Sequence, residues 1–138
     1  MERTWIVVAD QSQAQLYKVS GSKMDPNLER VEVLEHPEGR DNNASSSGMS
    51  LSFVDTRGSR DEEERRFVRL LMERLREAKR EGEFRKLYIA APANFIGKVR
   101  DLTCATLKQS IEREIVGDYT HENARALTKR VKKRNWLN

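Results

Sequence analysis

The chain has 138 residues, 35% of them charged and 37% apolar, with a formal net charge of +4; that length suits one packed domain and excludes two. One cysteine excludes an internal disulfide, and two histidines are too few for a His/Cys metal site. The mild net charge says less than its placement, because positions 125 to 134 carry Arg125, Lys129, Arg130, Lys132, Lys133 and Arg134 without an acid.

Trp5-Ile6-Val7-Val8-Ala9 is apolar on both faces and reads as a central strand covered by helices on each side. The run is too short for a signal peptide or a membrane span, so a cytoplasmic protein without membrane contact is expected. Asp10-Gln11-Ser12 turns the chain, with Asp10 as an Asx-turn residue. Positions 13 to 19 then alternate, Ala14 and Leu16 against Gln13, Gln15 and Tyr17, which predicts a half-buried antiparallel partner. After turn chemistry at Gly21-Ser22 and Asp25-Pro26-Asn27, an edge strand over 28 to 36 is expected to bury Val31 and Val33 and to expose Glu32 and Glu35.

No period holds from 37 to 60, a gap of roughly 24 residues that is well past the ~12–15 usual for an inert loop. This polar loop ends Asp55-Thr56-Arg57-Gly58-Ser59-Arg60 and leads into Asp61-Glu62-Glu63-Glu64, an acidic first turn suited to a helix dipole. Phe67, Leu70, Leu71, Leu75 and Ala78 mark the apolar face of that helix, and Gly82 its stop. Lys86-Leu87-Tyr88-Ile89-Ala90-Ala91 is a second central strand. Asn94 is a candidate cap for a helix bearing Phe95, Val99, Leu102 and Ala105 or Thr106, with Cys104 as a small core residue nearby. A last strand is expected over 114 to 117. Thr120 is then the candidate cap of a terminal helix with apolar stripe Ala124, Leu127 and Val131.

Three strands, helix, strand, helix, strand, helix is the order of a mixed five-stranded α/β sheet with helices on both faces, the ribonuclease H-like topology. Function does not follow from such a fold. Clustered carboxylates can run two-metal nuclease chemistry there, with Asp10, Glu62 or Glu63, and Asp118 or Glu122 as the available acids. The strand ending Ala90-Ala91-Pro92 lacks one, and turn and dipole roles explain these acids better. His36 reads as a strand-end residue and His121 as an exposed one. The glycines are scattered and form no phosphate-cradling motif.

Five short motifs in order carry a resemblance over nearly the whole chain: Trp5-Ile6-Val7-Val8-Ala9-Asp10, His36-Pro37-Glu38-Gly39-Arg40, Asp55-Thr56-Arg57-Gly58, Leu87-Tyr88-Ile89-Ala90-Ala91-Pro92 and Glu114-Ile115-Val116-Gly117-Asp118-Tyr119-Thr120. The chain resembles the bacterial family called "protein required for attachment to host cells". That family is similar to the middle domain of archaeal and eukaryotic class-1 peptide release factors, in which a Gly-Gly-Gln loop before the long helix enters the peptidyl transferase centre. The corresponding segment here is Arg57-Gly58-Ser59-Arg60, which keeps one glycine and lacks the second glycine and the glutamine.

The resemblance implies a cytosolic RNA- or ribosome-associated module without catalysis and without a cofactor, with the ribosome or tRNA as partner. Two alternatives stay open: a retained peptidyl-tRNA hydrolase, and a protein-interaction factor in host attachment. The residues expected to meet nucleic acid are Arg40, Arg57, Gly58, Ser59 and Arg60 in the loop, and Lys129, Arg130, Lys132, Lys133 and Arg134 on the terminal helix. Trp136 is expected to pack back on the body rather than to stack on a base.

Overall fold

The computed structural model describes residues 3–36 and 56–137. Five strands form one sheet in the order β3-β2-β1-β4-β5. They are β1 (Thr4–Ala9), β2 (Gln13–Gly21), β3 (Pro26–Glu35), β4 (Lys86–Ala91) and β5 (Ile111–Val116). Helices α1 (Thr56–Arg80), α2 (Ala93–Leu102), α3 (Ala105–Ser110) and α4 (Ala124–Lys133) complete the fold. The sheet is mixed: β1 runs antiparallel to β2 and parallel to β4, which is parallel to β5.

Alternation along β1 divides the core. Trp5, Val7 and Ala9 face α1, α2 and α3 together with Phe67, Leu71, Leu75, Phe95, Val99 and Leu107. Ile6 and Val8 face the other side, where Leu127 and Val131 of α4 close the layer with Tyr17, Val19 and Leu28. Burial on both sides explains why β1 from Trp5 and β4 from Leu87 carry no charged residue.

The half-buried reading of β2 is corrected, since Gln15 (4% exposed) and Tyr17 (0%) are as enclosed as Ala14 and Leu16. Their polar atoms satisfy each other: the Tyr17 hydroxyl donates to Gln15 Oε1 at 2.8 Å, and Gln15 Nε2 donates to the Thr120 carbonyl at 3.0 Å. An internally bonded amide can enter a core that would reject a bare one.

The expectation that β3 buries Val31 and Val33 is also corrected, as they are 48% and 37% exposed. Tyr17 pairs with Arg30 and Leu16 with Glu32, so Val31 is the extra residue of a β-bulge. The bulge reverses the facing of the strand. Leu28, before it, is buried against α4, whereas Leu34, after it, packs partly on the α1 side.

Helix α1 begins at Thr56, so Arg57-Gly58-Ser59-Arg60 form its opening turn and are not loop. Its first turn holds no acid, and Asp61 to Glu64 stand one turn deeper. Gly82 ends it as expected: at φ +77° it lets its own N–H reach the Lys79 carbonyl at 3.0 Å and the Glu83 N–H reach that of Ala78 at 2.9 Å. That pair of bonds is a Schellman closure.

The helix expected after β4 is two, broken at Thr103-Cys104, and the residue preceding α2 is Pro92 rather than Asn94. Cys104 packs partly buried against the core. Strand β5 starts three residues earlier than expected. The cap of α4 is Asn123, whose side chain accepts from Ala126 N at 2.8 Å, and not Thr120.

Candidate nucleic-acid interface

Two basic segments carry the expected contacts, and the fold separates them. Helix α1 ends beside the start of β4, and Phe67, well inside the helix, lies at the edge where β1 and β4 finish. There His36 stacks on Phe67 with centroids 5.2 Å apart, and Phe67 meets Phe95 at 6.3 Å. Helix α4 lies on the opposite face and runs to the other edge, where Lys132 reaches Asp25 in the β2–β3 turn at 3.3 Å. Arg57-Gly58-Ser59-Arg60 thus belong to a helix on one face of the sheet, and Lys129, Arg130, Lys132 and Lys133 to the helix on the other. Arg60 is exposed, and Arg40 lies outside the described residues.

The base of the α1 head is held by ions. Lys98 of α2 reaches Glu64 at 2.9 Å and Asp61 at 3.3 Å, while Arg65 reaches Asp61 at 3.4 Å and Asp101 at 3.6 Å. Hydrogen bonding by Lys98 holds the Asp61 carboxyl below its ordinary value. Burial pulls the Lys98 ammonium down, but bonds to Glu64 and Asp61 outweigh it and leave it raised. Lys98 was not singled out in the sequence, because its acids stand on another helix.

The terminal helix divides its cations into two sets. Arg130 Nε donates to both oxygens of Glu122, at 2.9 and 3.1 Å, and its guanidinium lies 5.0 Å over the Tyr119 ring. Those bonds hold the Glu122 carboxyl below its ordinary value. Tyr119 in turn meets Trp136 edge-on at 5.2 Å. Trp136 is 3% exposed and so packs back on the body as expected. With Lys132 on Asp25, two of the expected contacts are already engaged within the chain. Arg125, Lys129, Lys133 and Arg134 are exposed, and none has an ion pair among the described residues.

Of the carboxylates available for metal chemistry, Glu62 and Glu63 stand within α1, and Asp10, Asp118 and Glu122 lie in the turns and connections between elements. Asp10 Oδ1 accepts from Ser12 N at 2.8 Å, Ser12 Oγ at 2.9 Å and Gln13 N at 3.0 Å, the Asx turn expected for it. Its Oδ2 accepts from the Thr120 hydroxyl at 2.7 Å, a bond across 110 positions. Burial pushes the Asp10 carboxyl up, and these bonds together bring it below its ordinary value. Thr120 also lies 3.1 Å from Asp118. Among the described residues no three His, Cys, Asp or Glu side chains gather as a metal group would require. No described helix is long and apolar enough to cross a membrane.

A family model described as "Protein required for attachment to host cells" matches residues 5–131. No curated protein matches the chain. Among solved structures, the archaeal translation termination factor aRF1 is similar at a TM-score of 0.56 and 14% identity, over 97% of this chain and 36% of that one. A structure titled only "Archaeal protein" is similar at 0.54 and 13%, over 98% of this chain and 34% of the other. The chain thus spans about a third of the structures it matches, and at such identity the likeness is one of fold.

Proposed function

The chain belongs to the family of proteins required for attachment to host cells, and from that premise we propose that it is a non-catalytic, cytosolic RNA- or ribosome-associated module related to translation release factors. The observation that carries this reading is the chain-long likeness of its fold to an archaeal translation termination factor. The segment that would lead the contact is Arg57-Gly58-Ser59-Arg60, with Arg40 preceding it. Two arginines and a glycine suit phosphate and backbone recognition. They do not supply the Gly-Gly-Gln chemistry that the release-factor resemblance calls for at that place.

Three of the acids available for metal chemistry have structural roles. Asp10, Asp118 and Glu122 are each bonded to neighbours of the same chain. The attachment phenotype recorded in the family's description is, on this reading, an indirect outcome of an intracellular role.

The test is co-sedimentation with ribosomes at about 50 mM salt, a condition in which phosphate contacts are strong. The wild-type chain is expected in the ribosomal pellet, and Arg57→Ala/Arg60→Ala in the supernatant. An unchanged pellet for that variant would remove the segment from the reading. Surface exposure of the protein on intact cells, without ribosome association, would favour direct attachment instead.

A further inference from the structure

We propose that the outward face of α4 is a track for the phosphate backbone of an RNA strand, contacted by Arg125, Lys129 and Lys133 with Arg134 at its end. This rests on the RNA-associated reading above and adds a second anchor, on the sheet face opposite the α1 head.

Spacing is the first argument. Positions 125, 129 and 133 follow at four-residue steps, so their side chains fall in one row about 5–6 Å apart, spanning about 12 Å of helix. At about 100° per residue the row stands roughly opposite Leu127 and Val131, the two residues that α4 buries in the core. The row therefore points straight into solvent.

Charge placement is the second. The chain supplies Glu122 for Arg130 and Asp25 for Lys132, but α4 itself contains no acid to answer the row. The helix dipole favours cations at the C-terminal turn and so accounts for Lys132, Lys133 and Arg134. It opposes Arg125, which stands in the first turn. The dipole therefore accounts for the cations at the end of α4 and leaves Arg125 to be explained by an external anion.

Rigidity is the third. The Asn123 cap, the Glu122–Arg130–Tyr119 stack and the buried Trp136 fix both ends of α4. Thr128 accepts from Leu28 N at 3.3 Å and ties its middle to β3. A fixed helix loses little backbone freedom when it binds, so the ordering cost is confined to the side chains of the row. An anionic membrane is the poorer fit, because an interfacial helix inserts its apolar face and here Leu127, Val131, Trp136 and Leu137 are buried. With Trp136 enclosed and Tyr119 covered by Arg130, the track offers charge without base stacking, so binding should be indifferent to sequence.

The experiment measures affinity of the full chain for a labelled mixed-sequence single-stranded RNA of about 20 nucleotides between 50 and 200 mM salt. Removing three phosphate contacts with Arg125→Gln/Lys129→Gln/Lys133→Gln should lower the log–log salt slope by about 2, equal to roughly twentyfold over that range. Arg125→Lys/Lys129→Arg/Lys133→Arg should keep the slope, as should Arg100→Gln on α2, whose cation is engaged by Glu114. If the triple variant folds poorly, Lys129→Glu alone should still weaken binding.

An unchanged slope in a folded triple variant overturns the track. So does dependence on the row for binding phosphatidylserine vesicles without any for RNA. Loss of slope in the triple variant without ribosome sedimentation of the wild type would leave the track standing and sink the ribosomal reading. Ribosome sedimentation that depends on Arg57 and Arg60, with the triple-variant slope unchanged, would do the reverse.

Discussion

The part of α1 from Asp61 to Arg74, behind its opening turn, and the outer face of α4 both carry dense charge, but they use it differently. Around α1, Asp61 and Glu64 meet Lys98, Arg65 meets Asp101, and Arg74 meets Glu32 at 2.9 Å. On α4 the chain answers Arg130 and Lys132 and leaves Arg125, Lys129 and Lys133 without an ion pair among the described residues. Charge answered within the chain sets where helices sit. Charge left facing water is available to a partner, and only the second kind should govern salt-dependent binding.

The strongest way to break this comparison is to disturb the α1 side and look for an effect on binding. Phe67→Ala removes a ring 2% exposed between His36 and Phe95, which should cost about 3–5 kcal/mol in chemical denaturation. RNA affinity of the fraction that stays folded should hold. On the α4 side, Gly117→Ala places a Cβ 2.7 Å from the Tyr119 ring. Pushing that ring from beneath Arg130 should cost about 1–3 kcal/mol in denaturation and reduce RNA affinity as well.

Asp10 gives a pH-dependent version. Its folded pKa lies below the ordinary aspartate value of 3.8, so its contribution is full above pH 3.8 and is lost as pH falls through the lower folded value. An acid titration of stability should show that limb for wild type and a flatter one for Asp10→Asn. Asp10→Ala should cost about 1–2 kcal/mol at neutral pH through the orphaned Ser12 and Gln13 N–H groups. The smallest effect is expected from Lys98→Ala, about 1 kcal/mol or less, with an unchanged RNA salt slope. A lowered slope there would erase the distinction between the two regions.

Much of this arrangement was legible wherever a residue's surroundings are set by neighbours in sequence. The doubly apolar β1 and β4, the Gly82 stop and the Leu127–Val131 stripe all follow from local period and backbone sterics. The misreadings fall where distant partners decide. Val31 is exposed because the bulge opposite Leu16/Tyr17 shifts the strand by one residue, and nothing in β3 alone records that. Thr120 has the chemistry of a cap, but α4 starts only at Ala124, so Asn123 caps it and the Thr120 hydroxyl goes to Asp10.

The basic patch was equally visible as a count and invisible as a surface. Glu122 and Arg130 are eight residues apart, outside the usual three- and four-residue pairing of a helix. Asp25 reaches Lys132 only through the fold. Three-dimensional pairing therefore gives Arg130 and Lys132 partners within the chain and gives Arg125 none among the described residues.

The most direct measurement combines binding and chemistry: titrate the purified chain onto ribosomes carrying peptidyl-tRNA, and follow bound protein and released peptide together. The account predicts saturable binding that weakens steeply with salt, and peptide release no faster than from ribosomes alone. Release that rises with bound protein, or no binding at about 50 mM salt where phosphate contacts are strong, would contradict it.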